Sequence, residues 1–348
     1  MKWMIYGANG YTGALIAREA KTRGLSPVLA GRRADAIEPL ARELGLEHRI
    51  FAVGSPDEMA THLEGVRLVL HCAGPFATTS APMIDACLRA KAHYLDITGE
   101  IGVFEHAQTK NAEAQTAGVV VCPGVGFDVI PTDCVAAALK AALPDADHLA
   151  LGFDSQSSLS AGTAKTTVEG IPHGGKVRKE GKIIDVPHAY ATRRIDFGQG
   201  EKLAMTIPWG DVSTAFYTTG IPNIEVFVPS SPLVVFGAKQ INHFRWLLGW
   251  GPLQSMLKSF AAKSKGPSAE QREKLLTHVW GEITNPRGEK KTARIRTANG
   301  YSITVTGALA VVEYLLKNGP PAGAYTPAKL MGADLVTKLP GSSALLIV

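Results

Sequence analysis

The sequence predicts an α/β fold in which a doubly wound parallel sheet is followed by a second α/β domain with a mixed, largely antiparallel sheet. Up to about residue 142, apolar runs of strand length alternate with helix-like segments. After Pro144 the pattern changes to strand-like segments separated by glycine-rich turns. The 348 residues suffice for two domains, which we place at 1–144 and 145–305.

The first domain is expected to hold six strand-helix units. The predicted strands are Lys2–Tyr6, Pro27–Ala30, Arg49–Val53, Leu68–Cys72, Tyr94–Asp96 and Val119–Cys122. The predicted helices are Thr12–Arg23, Ala34–Leu44, Asp57–Leu63, Ala81–Ala90, Val103–Thr116 and Thr132–Ala142. Because parallel neighbours need a crossover connection, this order predicts a sheet with helices on both faces.

The second domain is predicted from alternating apolar and polar residues. Its clearest strands are Leu149–Phe153, Ala204–Pro208 and Ile224–Val228. Near the end of the chain we predict helices at Thr306–Leu316 and Thr326–Gly332 and a terminal strand at Ser343–Val348.

The segment Phe244–Lys263 combines tryptophan, leucine and phenylalanine with lysine and arginine at helical spacing, around a Gly-Trp-Gly-Pro corner. We expect it to pack inward as a core helix. An acyl or membrane-adjacent partner is the alternative. No segment reaches the ~18 uninterrupted apolar residues that a membrane-spanning helix needs.

Composition favours a globular enzyme, with 45% hydrophobic and 19% charged residues. The net charge of +5 is spread along the chain, so we expect no nucleic-acid partner. The four cysteines form no CxxC pair, and the N-terminus has no signal-peptide pattern, so we expect a reducing, cytoplasmic location. The histidines show no metal-ligand spacing, so we predict no metal.

A glycine-rich turn follows the first predicted strand and opens the first helix: Gly7-Ala8-Asn9-Gly10-Tyr11-Thr12-Gly13. Gly7 permits the tight turn, Gly10 lets a pyrophosphate approach the backbone, and Gly13 lets helix and strand pack closely. The free amides and the helix dipole then favour phosphate. This pattern predicts a Rossmann domain that binds a dinucleotide; the alternative is an ordinary strand-helix turn.

Two arginines end the next strand, in Leu29-Ala30-Gly31-Arg32-Arg33. Domains that bind NAD usually place an acidic residue here for the ribose 2′-hydroxyl, whereas arginine can pair with a 2′-phosphate. Arg32 and Arg33 therefore favour NADP(H) over NAD(H). The alternative is that they form a solvated turn before a helix.

Small residues follow the fourth strand, in Ala73-Gly74-Pro75, where a nicotinamide ribose could pass close to the backbone. The ends of the fifth and sixth strands bring carboxylates toward the same edge of the sheet. These carboxylates are Asp96, Glu100, Asp128 and Asp133. Asp133 also suits the start of a helix, so capping is its alternative role.

Taken together, the motifs resemble the saccharopine dehydrogenase-like oxidoreductase family, in its shorter, less-characterised branch that includes trans-acting enoyl reductases. The motifs are GANGYTG (7–13), LAGRR (29–33), CAGPF (72–76), HYLDITGE (93–100), GFDVIPTD (126–133), SAGTAKT (160–166), IPWGD (207–211), TGIPNIEVF (219–227), GPSAEQR (266–272) and YTPAKLMGAD (325–334). The resemblance implies a Rossmann domain followed by a mixed-sheet domain, with the final helices, from about 306 to 348, returning to pack on the first domain. It implies a cofactor site at Gly7, Asn9, Gly10, Tyr11, Thr12, Gly13, Arg32, Arg33, Ala73, Gly74 and Pro75.

We therefore expect an oxidoreductase that transfers hydride between NADP(H) and an imine, carbonyl or enoyl carbon of a small molecule in the cleft between the domains. A proton donor must serve the adjacent atom, and Lys165, His173 and Asp128 are the candidates. The alternative is an NADP(H)-binding redox sensor or scaffold without catalysis. The sequence leaves open whether the protein forms a homodimer.

Overall fold

The computed structural model describes residues 1–157, 160–264 and 266–348, without the side chains of residues 161, 163 and 165. Its contacts divide the chain into two units. Unit 1 comprises residues 1–130 and 301–335, and unit 2 comprises residues 131–300 and 336–348. The fold class predicted from the sequence, a parallel Rossmann-type sheet and a mixed, mostly antiparallel sheet, is confirmed.

Strands and helices are numbered in chain order. The strands are β1 (Trp3–Tyr6), β2 (Val28–Gly31), β3 (His48–Ile50), β4 (Leu68–His71), β5 (His93–Asp96), β6 (Val120–Cys122), β7 (His148–Ser155), β8 (Gly175–Lys179), β9 (Lys182–Val186), β10 (Thr192–Asp196), β11 (Glu201–Thr206), β12 (Asn223–Pro229), β13 (Thr277–Thr284), β14 (Lys290–Thr297), β15 (Gly323–Ala324) and β16 (Leu346–Ile347). The helices are α1 (Tyr11–Thr22), α2 (Ala34–Leu44), α3 (Pro56–His62), α4 (Phe76–Ala90), α5 (Ile101–Thr109), α6 (Asn111–Ala117), α7 (Ile130–Ala142), α8 (Ala161–Gly170), α9 (Asp211–Thr219), α10 (Pro232–Leu248), α11 (Gly251–Ala261), α12 (Ala269–Lys274), α13 (Gly300–Lys317) and α14 (Pro327–Met331).

A seven-stranded parallel sheet forms the centre of unit 1, in the order β15-β6-β5-β4-β1-β2-β3. Every residue of β1, β2 and β4 is buried, as expected for strands covered on both faces of a parallel sheet. The chain runs from β1 outward to β2 and β3 and then crosses to β4 on the other side of β1. The carboxyl ends of β1 and β4 therefore form the topological switch point, where ligands bind in folds of this type.

Two features of unit 1 differ from the sequence-based prediction. The helix predicted at Val103–Thr116 is two helices, α5 and α6, which meet at Lys110. The edge strand β15 was not predicted, because its two residues, Gly and Ala, form no apolar run. It pairs with β6 through tertiary contacts, and Asn111 Oδ1 accepts a hydrogen bond from the Ala324 amide at 2.9 Å.

Helix α7 belongs to unit 2, so the contacts divide the chain earlier than residue 144. Its side chains Val135 and Leu139 lie against Gly281 of β13, where an added Cβ would come within 2.6 and 2.9 Å of their methyl carbons. The Thr218 hydroxyl donates a hydrogen bond to Asp133 in its first turn. The Asp133 carboxylate therefore helps to join α7 to α9.

Unit 2 is built on a nine-stranded sheet whose main path is β10-β11-β12-β7-β13-β14-β16, with β8 paired to β12 and β9. The β12–β7 pair is parallel, and the other described pairs are antiparallel. Trp280, Phe227 and Phe197 form part of its core. The terminal strand lies in this sheet, since β16 pairs with β14.

The expectation that Phe244–Lys263 forms a core helix is wrong. The segment lies in α10 and α11, which are separated near Trp250, and its large apolar side chains are mostly exposed. Polar residues of the same helices face the rest of unit 2 and form hydrogen bonds there, so the apolar residues point outward. Within the three described ranges, no helix combines the length and hydropathy that crossing a bilayer requires.

Candidate functional site

The turn between β1 and α1 contacts the strands on both sides of β1. Gly7 has φ +82°, and its amide donates a hydrogen bond of 2.7 Å to the Ala30 carbonyl of β2. On the other side, an added Cβ at Gly7 would lie 2.7 Å from the backbone nitrogen of Ala73, after β4. Both the conformation and the space thus require glycine at this position.

The start of α1 fits a pyrophosphate group. An added Cβ at Gly13 would lie 2.4 Å from the Gly7 carbonyl oxygen, so the helix can approach the turn only with glycine here. The N-cap residue of α1 is Gly10, which has no side chain that could cap the helix amides. No acidic residue stands in the first turn of this helix. The amides and the positive end of the helix dipole therefore face no side-chain carboxylate of that turn, as a phosphate site requires.

The residues predicted to recognise the 2′-phosphate lie directly after β2. Arg32 and Arg33 are both exposed, and an added Cβ on Gly31 would come within 3.3 Å of Asn9 Oδ1. Arg33 Nε lies 3.8 Å from Asp35, whereas Arg32 has no ion pair within the described part of the chain. The strand end thus brings Asn9 and the two arginines to one edge of the turn, with Arg32 available for an anion.

The turn after β4 is held by a buried histidine. Burial lowers the pKa of His71 to about 3, so its imidazole is neutral. Its Nε2 lies 2.9 Å from the Thr79 hydroxyl, which donates to the Ala73 carbonyl at 2.8 Å. Since that hydroxyl has one proton, His71 Nε2–H is the donor to Thr79. These two hydrogen bonds, from His71 to Thr79 and from Thr79 to Ala73, fix the turn from Ala73 to Pro75. No motif in the sequence indicates this role of His71.

Asp96, at the end of β5, is a structural carboxylate. It is fully buried, and its Oδ1 accepts hydrogen bonds from the amides of Thr98 and Gly124, at 3.0 and 2.8 Å. Its Oδ2 accepts from the Tyr94 hydroxyl at 2.7 Å. Burial nevertheless raises the pKa of Asp96 to about 6. The residue joins the turns after β5 and β6.

Glu100 caps a helix. Its two carboxylate oxygens accept hydrogen bonds from the amides of Phe76 and Ala77, at 3.0 and 2.7 Å, in the first turn of α4. A carboxylate at this position also interacts favourably with the helix dipole. No spacing rule in the sequence links residue 100 to residues 76 and 77, so this role depends on the tertiary fold.

Asp128 follows β6, beside the turn after β5. An added Cβ on Gly99 would lie 2.7 Å from Asp128 Oδ2, and burial raises the pKa of this carboxyl to about 6. The neighbouring Phe127 amide donates to Thr304 of α13 at 3.0 Å. Asp128 therefore stands at the carboxyl edge of the parallel sheet with a pKa near neutrality.

The other two candidate proton donors belong to unit 2. Lys165 is in α8, but its side chain lies outside the described residues. His173 ends a 3-10 turn at Ile171–His173 and is exposed. Within the described residues, no group of three or more His, Cys, Asp or Glu side chains is arranged to hold a metal ion.

Comparison with known families agrees with this geometry. Residues 3–122 match the family model for the saccharopine dehydrogenase NADP binding domain. This segment is therefore similar to saccharopine dehydrogenase NADP-binding domains. NADP is accordingly its cofactor, as the arginines after β2 predicted. The glycine turn, Arg32 and the Ala73 turn all lie within the matched segment.

Curated relatives extend the similarity. The human saccharopine dehydrogenase-like oxidoreductase is 31% identical over 153 residues, which are 37% of this chain and 35% of that protein. The trans-acting enoyl reductase of Mycobacterium ulcerans is 27% identical over 211 residues, 55% of this chain and 49% of that protein. The matches thus span less than half the length of these relatives. They confirm the resemblance to saccharopine dehydrogenase-like oxidoreductases.

Among solved structures, the apo saccharopine dehydrogenase (L-Glu forming) of Saccharomyces cerevisiae has a TM-score of 0.67 and covers 100% of this chain and 99% of its own. The sequence identity is 10%, so the match concerns the fold. Both the NADP-binding domain and the mixed sheet have counterparts in that fold.

Proposed function

We propose that this protein is an NADP-dependent oxidoreductase acting on a C=N, C=O or C=C bond of a small molecule. The observation that supports it most is the meeting of three strand ends at the switch point, where Gly7 contacts Ala30 and Ala73 and where Arg32 follows β2. When bound there, NADPH supplies the hydride. The protein's own residues bind the phosphates, orient the nicotinamide and manage the proton.

Asp128 is our proposed proton donor. Its pKa of about 6 allows a carboxyl group to exchange a proton near neutral pH, which general acid catalysis requires. It also stands at the sheet edge where ligands of such folds bind. Reduction through Asp128 needs the protonated acid, so turnover should fall as the pH rises through about 6, and Asp128→Asn should remove this dependence.

Asp96→Asn is the matched control, because Asp96 has a similar pKa and its hydrogen bonds join the turns after β5 and β6. The pH profile of turnover should keep its shape in this variant. An unchanged profile in Asp128→Asn, or the same loss in both variants, would remove Asp128 from the mechanism.

The names of the relatives guide the choice of substrates toward imines and enoyl compounds, with simple carbonyls as the third class. NADPH consumption and product formation should be followed together, and an oxidoreductase gives them in equal amounts. Tight NADPH binding without oxidation in all three classes would contradict the proposal and would indicate a redox sensor.

A further inference from the structure

Helix α10 has an apolar stripe that faces solvent. Leu233, Phe236, Phe244 and Leu247 recur at helical spacing and so share one face. Their exposed fractions are 79%, 61%, 57% and 40%. Four apolar side chains on one solvent-facing stripe are unusual, since soluble proteins place such stripes against their core.

Large apolar side chains are also exposed at the corner and on α11. Trp246 and Trp250 are 74% and 64% exposed, and Met256 and Phe260 of α11, one helical turn apart, are 50% and 61% exposed. Both helices therefore expose large apolar side chains. We call the α10–α11 pair, with its corner, the apolar hairpin.

Hydrogen bonds fix the orientation of the apolar hairpin. Asn242 accepts from the His188 amide at 2.7 Å and donates to the His188 carbonyl at 3.1 Å. The Gln254 amide donates to the carbonyls of Leu248 and Val168, at 2.7 and 3.2 Å. Turning the apolar stripe inward would break these bonds and bury polar groups, so the outward orientation is the favoured one.

Every charged residue of the sequence between Val226 and Ala269 is a lysine or arginine. Lys258 pairs with Glu169 of α8 at 2.8 Å. Lys239 and Lys263 are exposed, and the Lys263 ammonium lies 5.2 Å from the centre of the Phe260 ring. The hairpin itself thus carries positive charge alone, and Glu169 of α8 pairs with one of its lysines.

We propose that the apolar hairpin docks on the surface of a bilayer that contains anionic phospholipids. The apolar side chains enter the boundary between headgroups and acyl chains, the tryptophans lie at that boundary, and the lysines meet lipid phosphates. Two copies of the chain paired through this surface would bring cations against cations, which disfavours a dimer. The helices lie along the membrane, because neither is long and apolar enough to cross it.

The test is flotation of the full chain with vesicles of phosphatidylcholine alone or mixed with phosphatidylserine. Binding should be strong to the mixed vesicles, weak to the neutral ones, and reduced by salt. The variant Lys239→Gln/Lys263→Gln should bind the mixed vesicles about twenty-five-fold more weakly, at about fivefold for each lysine. Phe236→Ser/Phe244→Ser should lose about a hundredfold or more.

Matched controls use exposed residues elsewhere in unit 2. Lys182→Gln/Lys291→Gln removes two exposed lysines of the sheet, and Leu346→Ser removes an exposed leucine of β16, so binding should be unchanged in both. Thermal unfolding checks that each variant is folded. Equal binding to both kinds of vesicle, or loss in the controls as large as in the hairpin variants, would overturn the proposal. A vesicle-free dimer that the Phe236→Ser/Phe244→Ser variant dissociates would overturn it in favour of a homodimer interface.

Discussion

The exposed arginine after β2 provides the sharpest test of the cofactor site. Arg32 follows Gly31 directly and has no ion pair within the described residues, whereas Arg33 Nε lies 3.8 Å from the Asp35 carboxylate. We expect Arg32 to bind the 2′-phosphate and Arg33 to contribute less. Replacing Arg32 by alanine removes a charge-assisted hydrogen bond worth about 1.5 to 3 kcal/mol.

That free energy corresponds to a loss of NADPH affinity of about 10- to 150-fold in Arg32→Ala. Because the side chain is exposed, we expect the lower part of this range at physiological salt and a larger effect at low salt. NADH has no 2′-phosphate, so its affinity should stay the same. Titration calorimetry with both cofactors at two salt concentrations measures this, with Arg33→Ala as the control. Equal losses in the two variants, or an equal loss for NADH, would refute the assignment.

Three further predictions concern the parallel-sheet unit. Gly7→Ala should abolish NADPH binding, because the added Cβ would meet Ala73. Gly24 has φ +74° and open space around it, so Gly24→Ala should cost only about 1–2 kcal/mol of stability and leave NADPH binding intact. Calorimetry and thermal unfolding compare the two variants. Thr79→Val should weaken NADPH binding about fivefold by releasing the turn after β4. Thr116→Val removes an exposed hydroxyl that bonds to Ala112 within α6, so it should leave binding unchanged, and the same titration compares the two variants. The folded state keeps the Asp96 proton up to about pH 6, whereas the unfolded chain loses it near the ordinary pKa of 3.8. The free energy of unfolding should therefore fall by about 3 kcal/mol as the pH rises from 3.8 to about 6, because the folded protein resists losing this proton. Denaturant unfolding of Asp96→Asn at several pH values should lack that loss, and the same pH slope in both proteins would contradict it.

Much of the parallel-sheet unit could be predicted from local sequence. The glycine turn is a good example, because φ +82° at Gly7 and the space at Gly13 admit no other residue, and the spacing of the glycines is visible in the sequence. The helix Ala34–Leu44 was predicted with the bounds that the structure shows, since its apolar period ends at Gly45, which adopts the left-handed conformation.

The carboxylates show where local sequence stops being informative. Asp96 and Glu100 were candidates for ligand contact, yet one binds the amides of Thr98 and Gly124 and the other caps α4. Such roles depend on which backbone amides the fold brings close to each carboxylate. Gly124 lies more than twenty residues from Asp96 in the sequence, and the first turn of α4 lies more than twenty residues from Glu100. The same holds for His71, whose function depends on Thr79 and on complete burial.

The exposed apolar hairpin shows the same limit for packing. Periodicity indicated an amphipathic helix correctly, but periodicity does not say which face meets the protein. That choice was decided by Asn242 and Gln254, whose partners at His188 and Val168 are distant in the chain. The sequence by itself therefore determined the glycine turn, the alternation of strands and helices and the basic strand end, because each is a local property of the backbone or of charge. Only the tertiary structure decided which carboxylates are structural, where β15 pairs and which face of α10 is exposed, because these depend on contacts between residues far apart in the sequence.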